Sequence, residues 1–153
     1  MKKKIFSDNC NLSNFTTIKV GGIAEYFAEP RNVDEFLYLI KWANLNKQRC
    51  QIIGAGSNLL INNIFIKGLV VCTKKMKSLN IDPYSGIVEA EAGVMLPTLS
   101  NSLAKNGLQG GEWAVGIPGT LGGAIFMNAG TGNLSLAKNL ILSLIHISEP
   151  TRH

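Results

Sequence analysis

Two stretches of nearly bare backbone are the parts of this chain best suited to chemistry. The first is Gly54-Ala55-Gly56-Ser57-Asn58-Leu59-Leu60, directly after the apolar Ile52-Ile53. As a dinucleotide fingerprint it fails, because Leu59 stands where the third glycine belongs. Lys74 and Lys75 also lie where a ribose-binding acid should be. No Gly-Lys-Ser/Thr closes it as a Walker loop. What remains is a strand entering a glycine turn with Ser57 and Asn58, either a nest of N–H groups for phosphate oxygens or a self-satisfied tight turn. The second stretch is Gly116-Ile117-Pro118-Gly119-Thr120-Leu121-Gly122-Gly123-Ala124. Pro118 and Gly119 at a helix start predict free N–H groups and a positive dipole end, which favour an anion. Gly122 and Gly123 inside a helix each cost on the order of 1 kcal/mol relative to Ala. They point to close approach of a ligand or of a neighbouring element. Of sixteen glycines, nine fall between Gly107 and Gly132, and two phosphate-suited turns together point to a pyrophosphate-bearing ligand.

The rest of the composition excludes other chemistries. The 153 residues are 46% hydrophobic and 16% charged, which excludes a disordered tail protein. The net charge is +5, but Lys2, Lys3 and Lys4 carry three of those charges. The remaining basic residues are scattered and aromatics are 7%, so a basic nucleic-acid-binding module is the weakest reading and no nucleic-acid partner is expected. Cys10, Cys50 and Cys72 have no metal-ligand spacing, which suits reduced thiols in the cytoplasm. Lys2 to Lys4 resemble a signal-peptide start, yet polar residues follow them. The longest apolar run, Leu140–Ile147, is far short of the roughly 20 residues of a membrane span. The expected protein is cytoplasmic, with no membrane partner.

These turns must be positioned by short elements. Phe15–Val20 and Ala24–Phe27 read as two strands around Gly21-Gly22. Asn32 with Glu35 forms a capping-box pattern, and apolar spacing predicts a helix over 33–46. Gln51–Ile53 and Gly68–Cys72 read as buried strands. A hairpin turns at Asp82–Gly86, and a helix spans Leu96–Asn106 with Gly107 past its end. A last helix is expected from Pro118 to about Asn128. The order predicts an α+β chain in two small lobes split near Lys74–Ser78.

In sequence order, Thr17-Ile18-Lys19-Val20-Gly21-Gly22-Ile23-Ala24, the first turn, Glu91-Ala92-Gly93, Gly107-Leu108-Gln109-Gly110-Gly111-Glu112 and Gly116 to Gly130 form five motifs. Over residues 15–132 the chain resembles the FAD-binding part of the UDP-N-acetylenolpyruvoylglucosamine reductase family. The resemblance implies the vanillyl-alcohol-oxidase type of FAD-binding fold, two α+β lobes with the cofactor between them. It divides the chain into an N-terminal extension (1–14), a first lobe (15–74), a second, truncated lobe (75–141) and a tail (142–153). FAD contacts would fall on Gly54, Ala55, Gly56, Ser57, Asn58, Leu59, Gly93, Gly116, Ile117, Pro118, Gly119, Thr120, Gly122, Gly123, Ala124 and Asn128. NADPH would be the reductant and a nucleotide sugar the substrate.

The departures carry expectations too. The family's catalytic serine, arginine and glutamate follow the Met-Asn-Ala-Gly segment, and the twenty-three residues after Gly130 match none of their motifs. No catalytic or metal-binding residue is therefore assigned, the substrate domain is expected to be absent, and the chain alone is expected not to turn over. Thr131 replaces the expected aromatic or histidine. Residues 142–153 read as a non-native tail of translated adapter sequence. Another oxidoreductase of the same fold, acting on a sugar or alcohol, is the alternative. Glu112 and Trp113 either sit beside the flavin or brace the glycine-rich loop. Trp42 reads as packing, and Lys74, Lys75 and Lys77 as a solvated lobe connection.

Overall fold

The strand β4 (Phe65–Cys72) ends in four buried apolar residues, Leu69 to Cys72. The computed structural model describes residues 5–62, 64–132, 134–136, 140 and 141; the expected tail, 142–153, lies outside them. Side chains alternate along a strand. Leu69 and Val71 therefore join Ala28, Leu39 and Ala43 on one face, while Val70 and Cys72 join Leu12, Ala24, Phe27 and Ile53 on the other. Coverage on both faces is why this strand reads as a continuous apolar run.

Strands β2 (Ile23–Ala28) and β3 (Cys50–Ile53) flank β4 in parallel, and β1 (Ser7–Asn11) pairs antiparallel with β2, in the order β1-β2-β4-β3. Helix α1 (Val33–Leu45) covers one face through Leu39 and Ala43. Its start follows the capping pattern: the Asn32 side chain accepts the Glu35 N–H at 2.9 Å, and the Glu35 carboxylate accepts the Arg31 N–H at 2.8 Å. Trp42 packs among Phe6 and Tyr26, with ring centroids 4.4 and 5.3 Å away.

Three expectations change. Phe15–Val20 is not a strand. Leu12–Phe15 forms a 3-10 turn, the Thr16 hydroxyl donates to the Val20 carbonyl at 2.8 Å, and Lys19 is left-handed at φ 57°, which a strand excludes. The outer strand position is taken instead by Ser7–Asn11, within the region set apart as an extension. Ile52 is 49% exposed, because β3 is a sheet edge. β4 also begins earlier than expected, at Phe65. Gly68 sits inside it at φ 95°, donating its N–H to the Glu25 carboxylate at 2.8 Å where the β2–β4 register shifts.

The 3-10 turn Thr73–Lys75 leads to a second group of elements. Strands β5 (Leu79–Ile81) and β6 (Val88–Ala90) form the expected hairpin. Helix α2 (Leu96–Lys105) has Pro97 in its first turn and Gly107 beyond it at φ 71°. Helix α3 (Leu121–Phe126) and the short pair β7 (Gly130–Thr131) and β8 (Leu134–Ser135) complete the group. Val94, Leu96, Leu99, Ala114, Ala124 and Leu136 form its core. The architecture is α+β. Among the described residues no helix is long and apolar enough to cross a membrane.

Candidate functional site

The first glycine turn leaves β3 at Gly54, and its neighbours shape it closely. Gly56 lies at φ 70° with its Cα against the Phe15 carbonyl, a place no side chain could share. The Gly56 carbonyl accepts the Thr17 N–H at 3.1 Å. The Gly54 carbonyl accepts the Cys72 thiol at 3.5 Å, and burial pushes that thiol up, so it stays protonated and a donor at neutral pH. The Thr17 segment, read as a strand, is therefore the floor of the turn. The signal that it is irregular was its own Gly21-Gly22 pair, since a Cβ on Gly21 would press on the Leu12–Ser13 backbone.

The second glycine stretch differs from its expected form. Pro118 and Gly119 precede the helix instead of starting it; Thr120 is the N-cap and α3 has six residues. The free helical N–H groups anticipated there are occupied. Leu121 donates to Val94 at 2.7 Å and Gly122 to Ala92 at 2.8 Å, while Gly123 makes a long 3.5 Å contact to the Thr120 hydroxyl. An extended crossing of residues 92–95 beside 119–122, bridged at Met95 and Thr120, uses them up. A Cβ on Gly122 would come 2.8 Å from the Ala92 Cβ, so the close approach there is a neighbouring element. Ala124 is a buried core residue.

The chain brings the two turns together across 61 residues. The Ser57 hydroxyl donates to the Pro118 carbonyl at 2.9 Å. Gly54 lies directly against the Thr120 hydroxyl, where a Cβ would collide, and a Cβ on Gly119 would come 3.2 Å from the Ser57 oxygen. Around this contact, among the described residues, the N–H groups of Ala55, Gly56, Ser57, Asn58, Gly119 and Thr120 have no protein acceptor. Asn58 and Leu59 are exposed at the turn's end. Gly116 is exposed, with open space where a Cβ would lie, and Ile117 packs on the second core.

Other site candidates take no part in the contact between the two turns. Gly93 is buried with its Cα under the Thr73 and Met76 carbonyls, joining the two groups of elements. Asn128 follows α3 as an exposed left-handed residue at φ 46°. Glu112 braces the glycine-rich loop: its carboxylate accepts the Gly110 N–H at 2.9 Å, and the Trp113 indole donates to the Gly110 carbonyl at 3.0 Å. Lys75 pairs with Glu29 at 2.7 Å, so it does more than coat a connection. A cleft of about 290 Å³ beside that pair, lined also by Phe6 and Phe27, includes neither glycine turn. Among the described residues no His, Cys, Asp and Glu group could hold a metal.

The FAD binding domain family matches residues 24–145, and the chain belongs to that family. It is 70% identical over 141 residues to the UDP-N-acetylenolpyruvoylglucosamine reductase of Prochlorococcus marinus subsp. pastoris, covering 92% of this chain and 48% of that protein. The crystal structure of UDP-N-acetylenolpyruvylglucosamine reductase from Thermus caldophilus superposes with a TM-score of 0.64 at 31% identity, over 85% of this chain and 45% of that one. The chain thus spans about half the length of the relatives it matches. A Phl p 4 variant described as a glucose oxidase shares the fold alone, with a TM-score of 0.55 at 14% identity over 67% of this chain and 24% of that one. The resemblance read from the five motifs, and the FAD-binding fold it implied, are borne out.

Proposed function

We propose that this chain is the FAD-binding part of an NADPH-dependent reductase that converts UDP-N-acetylenolpyruvoylglucosamine to UDP-N-acetylmuramate in peptidoglycan precursor synthesis. The observation that carries the proposal is the meeting of the two glycine turns at Ser57 and Pro118. Among the described residues, six backbone N–H groups in the two turns at that contact have no protein acceptor. A pyrophosphate is doubly anionic and takes up many donors, and backbone N–H groups supply them without bringing any side-chain bulk. Bound FAD would supply the hydride chemistry, the protein contributing position and electrostatics.

Within this reading Ala55, Gly56, Ser57 and Asn58 would hold one phosphate and Gly119 with Thr120 the other, through their N–H groups. Gly54 and Gly122 would act through close packing, which their missing side chains permit. Residues 15–74, joined by the strand Ser7–Asn11 and the buried Leu12 of the expected extension, and residues 75–141 would be the two lobes. The nucleotide-sugar site would lie in the half of the relatives that this chain does not match, and the chain alone would have no turnover. The compartment is the cytoplasm. Two measurements test this. Titration of the chain with FAD should quench flavin fluorescence. Residues 1–136 exchanged into the matching segment of the Prochlorococcus marinus reductase should support oxidation of NADPH by the enolpyruvyl substrate. A chimaera that folds, binds FAD and remains inert toward that substrate would remove the reductase reading.

A further inference from the structure

We propose that the Ser57 hydroxyl is a strut between the two turns, a positioning residue that acts on the cofactor through Pro118 and Gly119 rather than by touching phosphate. The inference rests on the FAD reading above. A serine hydroxyl has one proton to donate, and that proton is directed at the Pro118 carbonyl, 2.9 Å away. A phosphate oxygen only accepts, so Ser57 can serve Pro118 or a phosphate with its hydroxyl, never both.

The surroundings favour Pro118. Gly119 is at φ 152°, a conformation that side chains avoid, and its missing Cβ leaves room for the Ser57 oxygen. The contact of Gly54 with Thr120 forms a second tie three residues earlier in the first turn and two residues later in the second stretch. Two ties at different points set the relative orientation of the turns as well as their separation. The N–H groups of Ala55 to Asn58 and of Gly119 and Thr120, none of which has an acceptor among the described residues, then belong to one pre-assembled frame. Binding to such a frame loses less conformational entropy than binding to two turns that must first be brought together.

Amide exchange on the ligand-free chain and FAD titration together decide the matter. Ser57→Ala should speed exchange at Thr17, which donates to Gly56, and at Leu96, which donates to Gly119, while Leu69, bonded to Arg49, stays unchanged. The same variant should bind FAD about tenfold more weakly, the upper range for one neutral hydrogen bond. Ser57→Thr, which keeps the hydroxyl, should restore both. Weaker FAD binding with unchanged exchange at Thr17 and Leu96 would mean that the hydroxyl meets the ligand directly and would overturn the strut. Equal FAD affinity in Ser57→Ala and the unaltered chain would overturn it too. If the unaltered chain shows no FAD affinity, the FAD reading falls, and the exchange arm still decides whether Ser57 ties the turns. Should Ser57→Ala not fold, Ser57→Cys, with a weaker donor at the same place, replaces it in both arms.

Discussion

The two glycine turns look alike as sequence and are built differently. Among the described residues the turn after β3 keeps the N–H groups of Ala55 to Asn58 free, because its hydrogen bonds run through its carbonyls, Thr17 on Gly56 and Cys72 on Gly54, and through the Ser57 side chain. The second stretch is held on both sides of its peptides: Leu121 and Gly122 donate to Val94 and Ala92, while the Pro118 and Gly119 carbonyls accept from Ser57 and Leu96, so among the described residues only Gly119 and Thr120 keep theirs. An anion site therefore depends less on how many glycines a segment has than on which side of the peptide the scaffold uses. The six-residue α3 makes the same point. Its own N-terminus is already saturated, and the donors left over lie just before it.

Substitutions that add one methyl group can break or sharpen this contrast. The largest effect is expected at Gly56→Ala, which combines a left-handed φ of 70° with a collision against the Phe15 carbonyl. It should destabilise the chain by about 3 kcal/mol in urea unfolding, against little change for Gly116→Ala, where nothing lies in the way. Equal losses at the two positions would erase the difference between a gripped turn and an open one.

A smaller and opposite pair lies within α3. Gly122→Ala presses on Ala92 and should cost about 1–2 kcal/mol. Gly123→Ala meets only the Thr120 hydroxyl, at 3.4 Å, and should stabilise the helix by roughly 0.5 kcal/mol. Thermal unfolding of the ligand-free variants reads both. If Gly123→Ala also destabilised, the neighbour would press on both glycines and the assignment of the crowding to Ala92 alone would fail.

The smallest effect is in the hairpin, remote from both turns. The Ser85 hydroxyl, followed by the Tyr84 N–H, holds the Asp82 carboxyl below its ordinary value. A carboxyl depressed on folding contributes stability that is present above its unfolded pKa, about 3.9, and lost as pH falls through the folded value. Urea midpoints of Asp82→Asn should therefore fall less between neutral pH and acid than those of the unaltered chain, with FAD affinity untouched. A variant with the same pH slope would remove Asp82 from the acid response.

Elements with a strong local signature were legible from composition and spacing. Asn32 and Glu35 announced α1, Leu69–Cys72 a strand covered on both faces, and Pro97 with Gly107 the bounds of α2. Elements whose form depends on distant partners were not. Ser7–Asn11 is a polar edge strand with no apolar alternation to reveal it, and its conformation comes from pairing with β2. Phe15–Val20 has strand chemistry, yet it curls to support Gly56, forty residues on. The glycine excess likewise determined by itself that backbone had to come close to something, and the order of motifs determined the family. Only the tertiary structure decided what each glycine approaches: Ala92 at Gly122, the Thr73 and Met76 carbonyls at Gly93, Thr120 at Gly54, and open space at Gly116. A missing side chain is a local property of the sequence. The atom that uses the space arrives from elsewhere in the chain, by packing whose range no local pattern encodes.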